Sequence, residues 1–351
     1  MRFIGRAGER SSGAASSAHS AEIVGAVSLA LFAVLGAFAV VTPARTQAPV
    51  AASPPLAAGP ILPIVTSAPR LALVETHLES PVPLVGVSAL TGDRHGRIYV
   101  IHRPVSGDPV VILDRNGRLV RSFGAGMFAI PHGIRLDPDG NVWTVDAHTS
   151  VVLKFSPEGR ELLRINVGGV PEPDRDFCGA SDVAFAPDGH VFVSDGYCNG
   201  RVLEFDAGGT KVREWGRLGH EPGPRVYTRR EPGKLIIAHG IARASNGDLV
   251  LADRWNGRIQ RFHRDGALVS AWTYGGELYA VAFDPQGRLY ATVHDPAVPN
   301  STGWTLIQVD PNDGAVIGQA PIPGGHELAI APDGAILPAT RSDDLVLLRR
   351  K

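Results

Sequence analysis

Apolar and polar positions alternate in short bursts along most of this chain, and the bursts recur. Five times an apolar run (GIRL, DVAF, GIAR, AVAF, ELAI) is followed by a polar turn and a second run (NVWTV, HVFVS, DLVLA, RLYAT, AILPA). The turns are Pro138-Asp139-Gly140, Pro187-Asp188-Gly189, Ser245-Asn246-Gly247, Pro285-Gln286-Gly287 and Pro332-Asp333-Gly334. Asp-Gly and Asn-Gly between β-rich runs predict hairpins, because glycine reaches positive φ at little steric cost. A third run (VVLKF, RVLEF, RIQRF, TLIQV), a second turn and a fourth run such as VREWG extend the unit. A weaker copy, VSALTGDRHGRIYVIHR to VVILDRNGRLVRSFG, precedes these with its turn at Gly96. Successive turn glycines lie 44, 49, 58, 40 and 47 residues apart. Four strands at that period make a propeller blade, so the expected fold is all-β, a six-bladed β-propeller. The last copy ends at DLVLLRR without a fourth strand, while Arg70 to His77 is a spare strand before the first. It is expected to close the ring onto blade six and so remove an exposed edge.

The N-terminus reads differently. Behind Arg2, Arg6 and Arg10, residues Ile23 to Val41 carry no charge and are long enough to cross a bilayer as a helix. Residues 1–42 therefore read as a secretory signal or a membrane anchor, residues 43–69 as an unstructured Pro/Ala-rich linker, and residues 70–351 as the propeller. Either reading of the leader exports the propeller, to the periplasm or the cell exterior, with membrane contact only through that segment. Lysine and arginine number 34 against 35 acidic residues, so the balance gives no support to a nucleic-acid partner held by charge. The two cysteines, Cys178 and Cys198, lie in the exported part and are either a disulfide or two buried thiols.

The repeat supplies a frame for the chemistry. Eight residues before the turn glycine stand His132, Ser181, His239, Tyr279 and His326. First strands of blades line the channel, and alternate blades of six lie about 120° apart. His132, His239 and His326, from blades two, four and six, thus converge on the axis as a three-histidine zinc site with an open fourth position. Just after the second strand come His102 and Arg103, Asp146 and His148, Asp195 and Tyr197, Asp253 and Arg254. The recurring aspartates read as ties for the turn. Arg103, Arg254 and Tyr197 read as a rim suited to a carboxylate, with an ion-pair role as the alternative for the arginines.

At FCGASDVAFAPDGHVFVSDGYCNGRVLEF and LADRWNGRIQRF the chain resembles the peptidyl-α-hydroxyglycine α-amidating lyases, over about residues 84–351. That family is a six-bladed propeller of NHL-type repeats that cleaves a peptidyl-α-hydroxyglycine to a peptide amide and glyoxylate. The resemblance implies zinc on His132 (PHG), His239 (AHG) and His326 (GHE), and a disulfide between Cys178 and Cys198. It also implies catalytic roles for Tyr197 (DGYCN), Arg103 (IHR) and Arg254 (ADR). Tyr197 would accept a proton, one arginine favouring its phenolate and the other pairing with the substrate carboxylate. A structural calcium is implied too, held by the residue after the third histidine and by main-chain oxygens near Val87 and Ile134. That residue is aspartate in the family and Glu327 here; a second cysteine pair is absent, with Arg261 at one position. The implied partner is a small molecule or peptide ending in α-hydroxyglycine. Two other classes fit parts of the pattern: a non-enzymatic NHL binding scaffold, and a metal-dependent lactonase-type hydrolase.

Overall fold

A computed structural model describes residues 61–62, 68–169, 176–219, 231, 233–299 and 302–351. The charge-free run at 23–41 and the leader as a whole lie outside them. No helix among the described residues is long and apolar enough to cross a membrane.

Among the described residues six sheets are each built on four antiparallel strands, the one of blade four carrying a fifth, parallel strand at its edge. Blade one comprises Ala89–Gly92, Ile98–Ile101, Val110–Leu113 and Leu119–Phe123. Blade two runs from Pro131–Leu136 to Glu161–Asn166, blade three from Asp182–Phe185 to Lys211–Trp215, and blade four from Ala238–Arg243 to Leu268–Tyr274. Blade five runs from Glu277–Phe283 to Val316–Ile322. The first strands contact one another in sequence from blade one to blade six and back to blade one, so they form the inner wall. The long spacing between the third and fourth turn glycines is taken up by an excursion carrying a parallel pair, Arg217–Leu218 with Lys234–Leu235. A single 3₁₀ turn, Arg254–Asn256, is the helical element described.

Blade six closes as the spare strand predicts. Leu328–Ile330, Ile336–Pro338 and Leu345–Arg350 are completed by Leu73–Leu78, paired antiparallel from Leu73↔Arg350 to Leu78↔Leu345. Leu71, Val346 and Leu348 join the core between blades five and six, against Tyr279, Tyr290 and Trp304. Ile61 and Leu62, inside the stretch expected to be unstructured linker, pair in parallel with Thr273 and Tyr274 on the outer edge of blade four.

The apolar faces meet between neighbouring blades. Val145 and Val152 of blade two pack against Val183, Val193 and Leu203 of blade three, all buried. Each such side chain contributes about 1.5–3 kcal/mol on burial. The recurring aspartates behave as turn ties: Asp146 accepts the N–H groups of Ala129, Ile130, His148 and Thr149. Asp253 accepts from Ile236 N–H, Asn256, Arg258 and Gln260. Asp195 accepts from Arg201.

Deleting the chain through Leu78 leaves blade six with three strands and an unpaired edge. The truncated protein is expected to melt at least about 10 °C below the full chain in circular dichroism, or to aggregate. A superimposable melt would show that closure by this strand contributes little.

Candidate functional site

The register frame places side chains, and local bulges aim them. In blade two the pairing steps from Pro131↔Asp146 to Gly133↔Val145, so His132 is an extra residue on the inner strand. In blade four it steps from Ala238↔Asp253 to Ile241↔Leu251, leaving His239 and Gly240 against Ala252 alone. A bulge bends the strand and redirects its side chain, here toward the axis. The glycine after each of these histidines has a steric reason. A Cβ on Gly133 would stand 2.8 Å from the Ser181 carbonyl oxygen, and one on Gly240 2.8 Å from Ala280 Cα.

His132, His239 and His326 are buried and meet at the channel axis, one ligating atom of each lying within 4.8 Å of the others. Each imidazole is oriented from the next blade. His132 Nδ1 bonds the Ser181 carbonyl at 2.8 Å, His239 Nδ1 the Tyr279 carbonyl at 2.9 Å, and His326 Nδ1 the Ser88 carbonyl at 3.0 Å. A carbonyl can only accept, so Nδ1 carries the proton and Nε2 keeps its lone pair. Burial, then the neighbouring imidazoles and arginines, holds all three histidines well below their usual pKa. Three neutral imidazoles with their Nδ1–H groups tied back are a donor set prepared for a metal ion.

Tyr197 reaches into the same point. Its hydroxyl lies 2.7 Å from His132 Nε2 and 3.1 Å from His239 Nε2. One hydroxyl proton cannot serve two lone pairs, so the cluster holds more acceptors than donors. Burial pushes the Tyr197 hydroxyl up to about 12, against the pull of Arg254 and Arg103. The Cys178–Cys198 disulfide ties the loop carrying Tyr197 to the one carrying Phe177. Phe177 packs on Tyr197 with ring centroids 5.2 Å apart, and the Arg103 guanidinium lies 5.2 Å from its centroid.

Arg103 is held by the Pro131 carbonyl at 3.0 Å and the Ser88 hydroxyl at 3.1 Å. Arg254 pairs with Glu277 at 3.3 Å, bonds the Tyr279 hydroxyl and stacks 3.8 Å from that ring's centroid. Both arginines are therefore fixed by protein groups as well as facing the rim. Ile237, whose carbonyl accepts the Arg254 N–H, takes φ 59°. A β-branched residue in the left-handed region is strained, and such strain concentrates at functional sites.

The NHL repeat family model matches residues 177–205 and 235–262, parts of blades three and four. Peptidyl-glycine alpha-amidating monooxygenase B of Xenopus laevis is 32% identical over 249 residues, covering 66% of this chain and 28% of that protein. The probable peptidyl-alpha-hydroxyglycine alpha-amidating lyase of Caenorhabditis elegans is 29% identical over 201 residues, covering 50% of this chain and 55% of that one. Peptidyl-alpha-hydroxyglycine alpha-amidating lyase 2 of Drosophila melanogaster is 28% identical over 255 residues, covering 69% and 60%. The chain is a homologue of the amidating lyases. It spans less than two thirds of the length of each of these relatives. Among solved structures, a streptogramin B lyase superposes with TM-score 0.55 at 14% identity, over 80% of this chain and 98% of that one. That likeness speaks to the propeller fold alone.

The frame thus brings together His132, His239, His326, Tyr197, Arg103 and Arg254. It missed Arg341, which stands seven residues after Gly334 as Arg103 and Arg254 stand seven after Gly96 and Gly247. Arg341 acts electrostatically on Tyr197, His239 and His326, and takes φ 61°. The signal was available in the register, hidden by the degenerate strand end ATRSDD. Phe177 was missed too; its adjacency to Cys178 was the clue. The residues implied for calcium do not converge on one point in the same way as the histidines: Val87 precedes the frame position of its blade, while Ile134 and Glu327 follow theirs. Val87 is buried, with its N–H on the Ser342 carbonyl. Glu327 and the Ile134 carbonyl both face Arg135.

After dialysis against zinc, the purified chain is expected to retain about one ion by elemental analysis. H239A is expected to bind roughly a hundredfold more weakly. Equal retention by H239A would place the ion elsewhere.

Proposed function

We propose that this chain is an exported zinc-dependent lyase that cleaves the N–C bond of a peptidyl-α-hydroxyglycine, giving a peptide amide and glyoxylate. The observation that carries the reading is the Tyr197 hydroxyl set 2.7 Å and 3.1 Å from two of three converging imidazoles, beneath a rim of arginines. The homologues named as amidating lyases supply the reaction class, and the disulfide fits an oxidising compartment.

Zinc suits the donor set, since His132, His239 and His326 present three neutral nitrogens and leave room for a further ligand. Bound there, it would supply Lewis acidity toward the substrate hydroxyl. The substrate is a carbinolamide, N–CH(OH)–COO⁻. Its O–H proton passes to the Tyr197 oxygen as the C–N bond breaks, and the hydroxyl-bearing carbon becomes the aldehyde carbon of glyoxylate. The C–N electron pair goes to the amide nitrogen, which takes up a proton, so the step is balanced without oxidant or reductant. Arg254 and Arg103 pull the Tyr197 hydroxyl toward its anion against the burial that raises it to about 12, and a cation held by the three histidines would add to that pull. The guanidinium forks of Arg103, Arg254 and Arg341 offer charge-assisted hydrogen bonds to the carboxylate and fix its orientation.

The test is glyoxylate release from α-hydroxyhippurate by the zinc-loaded chain. Wild type is expected to turn over, and Y197F to lose about 10²–10⁴-fold in kcat while keeping its zinc. No glyoxylate from wild type would leave the scaffold or hydrolase readings, and an undiminished Y197F would remove that residue from the chemistry. R341A is expected to raise KM about tenfold with kcat little changed, as loss of carboxylate binding requires. Unaltered kinetics would place Arg341 outside the substrate's reach.

A further inference from the structure

Below the histidines the channel holds a second cluster of charge. Asp182 and Glu327 are both buried, one on the first strand of blade three and the other just before that of blade six. Between them lies the Arg135 side chain from blade two. Its Nη2 donates to Asp182 Oδ2 at 2.7 Å and to Glu327 Oε2 at 2.9 Å, and its Nη1 faces the Ile134 carbonyl at 3.4 Å. Two of the three groups that the family resemblance implies for calcium, the Glu327 carboxylate and the Ile134 main-chain oxygen, are thus engaged by one guanidinium.

We propose that Arg135 is a built-in replacement for the structural calcium: its guanidinium joins blades two, three and six at the axis, and the chain needs no calcium to fold. Calcium takes six to eight oxygen ligands at about 2.3–2.6 Å. The Arg135 guanidinium brings a like charge onto the position and engages Asp182 Oδ2 and Glu327 Oε2, while Asp182 Oδ1 and Glu327 Oε1 are buried without a hydrogen-bond partner. Arg135 also lines a cavity of about 660 Å³ at the turn end of the inner strands. Asp182 and Glu327 do not line that cavity and are buried behind Arg135, so the guanidinium stands between the two carboxylates and the open space. The longer Glu327, in place of the family's aspartate, extends its carboxylate one methylene further toward the side chain it holds.

The test reads stability and metal content and is independent of the lyase reading. Wild type is expected to hold no stoichiometric calcium after dialysis against millimolar calcium, and to melt at the same temperature in calcium as in EGTA. R135S leaves two buried carboxylates without their cation. It is expected to melt about 10 °C lower in EGTA and to regain much of that loss in calcium. One equivalent of calcium in wild type, with a melting temperature that falls in EGTA, would overturn the proposal. So would an R135S protein that melts as wild type does in both buffers. Should R135S fail to fold in either buffer, the wild-type pair of measurements decides alone.

Discussion

One closed circuit of hydrogen bonds around the channel axis governs both the fold and the site. The Ser88 hydroxyl of blade one bonds the His132 carbonyl of blade two at 2.6 Å, and His132 Nδ1 bonds the Ser181 carbonyl of blade three at 2.8 Å. The Ser181 hydroxyl bonds the His239 carbonyl of blade four at 2.8 Å, and His239 Nδ1 the Tyr279 carbonyl of blade five at 2.9 Å. The Thr292 hydroxyl of blade five reaches the Gly325 carbonyl ahead of blade six at 2.6 Å, and His326 Nδ1 returns to Ser88 at 3.0 Å. Odd blades donate hydroxyls and even blades donate imidazoles. All of these groups are buried, where a broken link would leave an unpaired polar atom at a cost of about 1–3 kcal/mol.

At the frame position the histidines donate to carbonyls of the odd blades, and the carbonyls of His132 and His239 accept from odd-blade hydroxyls. The circuit also fixes the tautomer through a main-chain carbonyl on each Nδ1: closing the propeller and turning the Nε2 lone pairs inward are one event. The bulges at His132 and His239 fit the same logic, because a regular strand would not present the side chain and the carbonyl in these directions.

Much of this was legible in the chain. Hairpin turns fixed the blade count, the missing last strand pointed to Leu73–Leu78, and counting back from the turn glycines found all three histidines. Counting forward found Arg103 and Arg254, and would have found Arg341 had the last blade's irregular second strand been given the same weight. Arg135 could not be found that way. It has no counterpart at its position in the other blades, and its meaning depends on Asp182 and Glu327, which lie 47 and 192 residues away in the chain. Periodicity reports what the blades share, and a residue that serves one cluster only is invisible to it.

Glu327 links the two layers of the channel. Its Oε2 holds Arg135, while its Oε1 lies 3.2 Å from His239 Nδ1, whose proton points to the Tyr279 carbonyl instead. The Arg135 guanidinium on the other oxygen offsets part of the carboxylate charge that faces the imidazole. Burial pushes Glu327 and Asp182 up to about 7 in spite of Arg135, so this single positive charge only partly offsets the two carboxylates. Arg135 thus sets one positive charge between two carboxylates at the floor of the channel, while Arg103, Arg254 and Arg341 set positive charge around Tyr197.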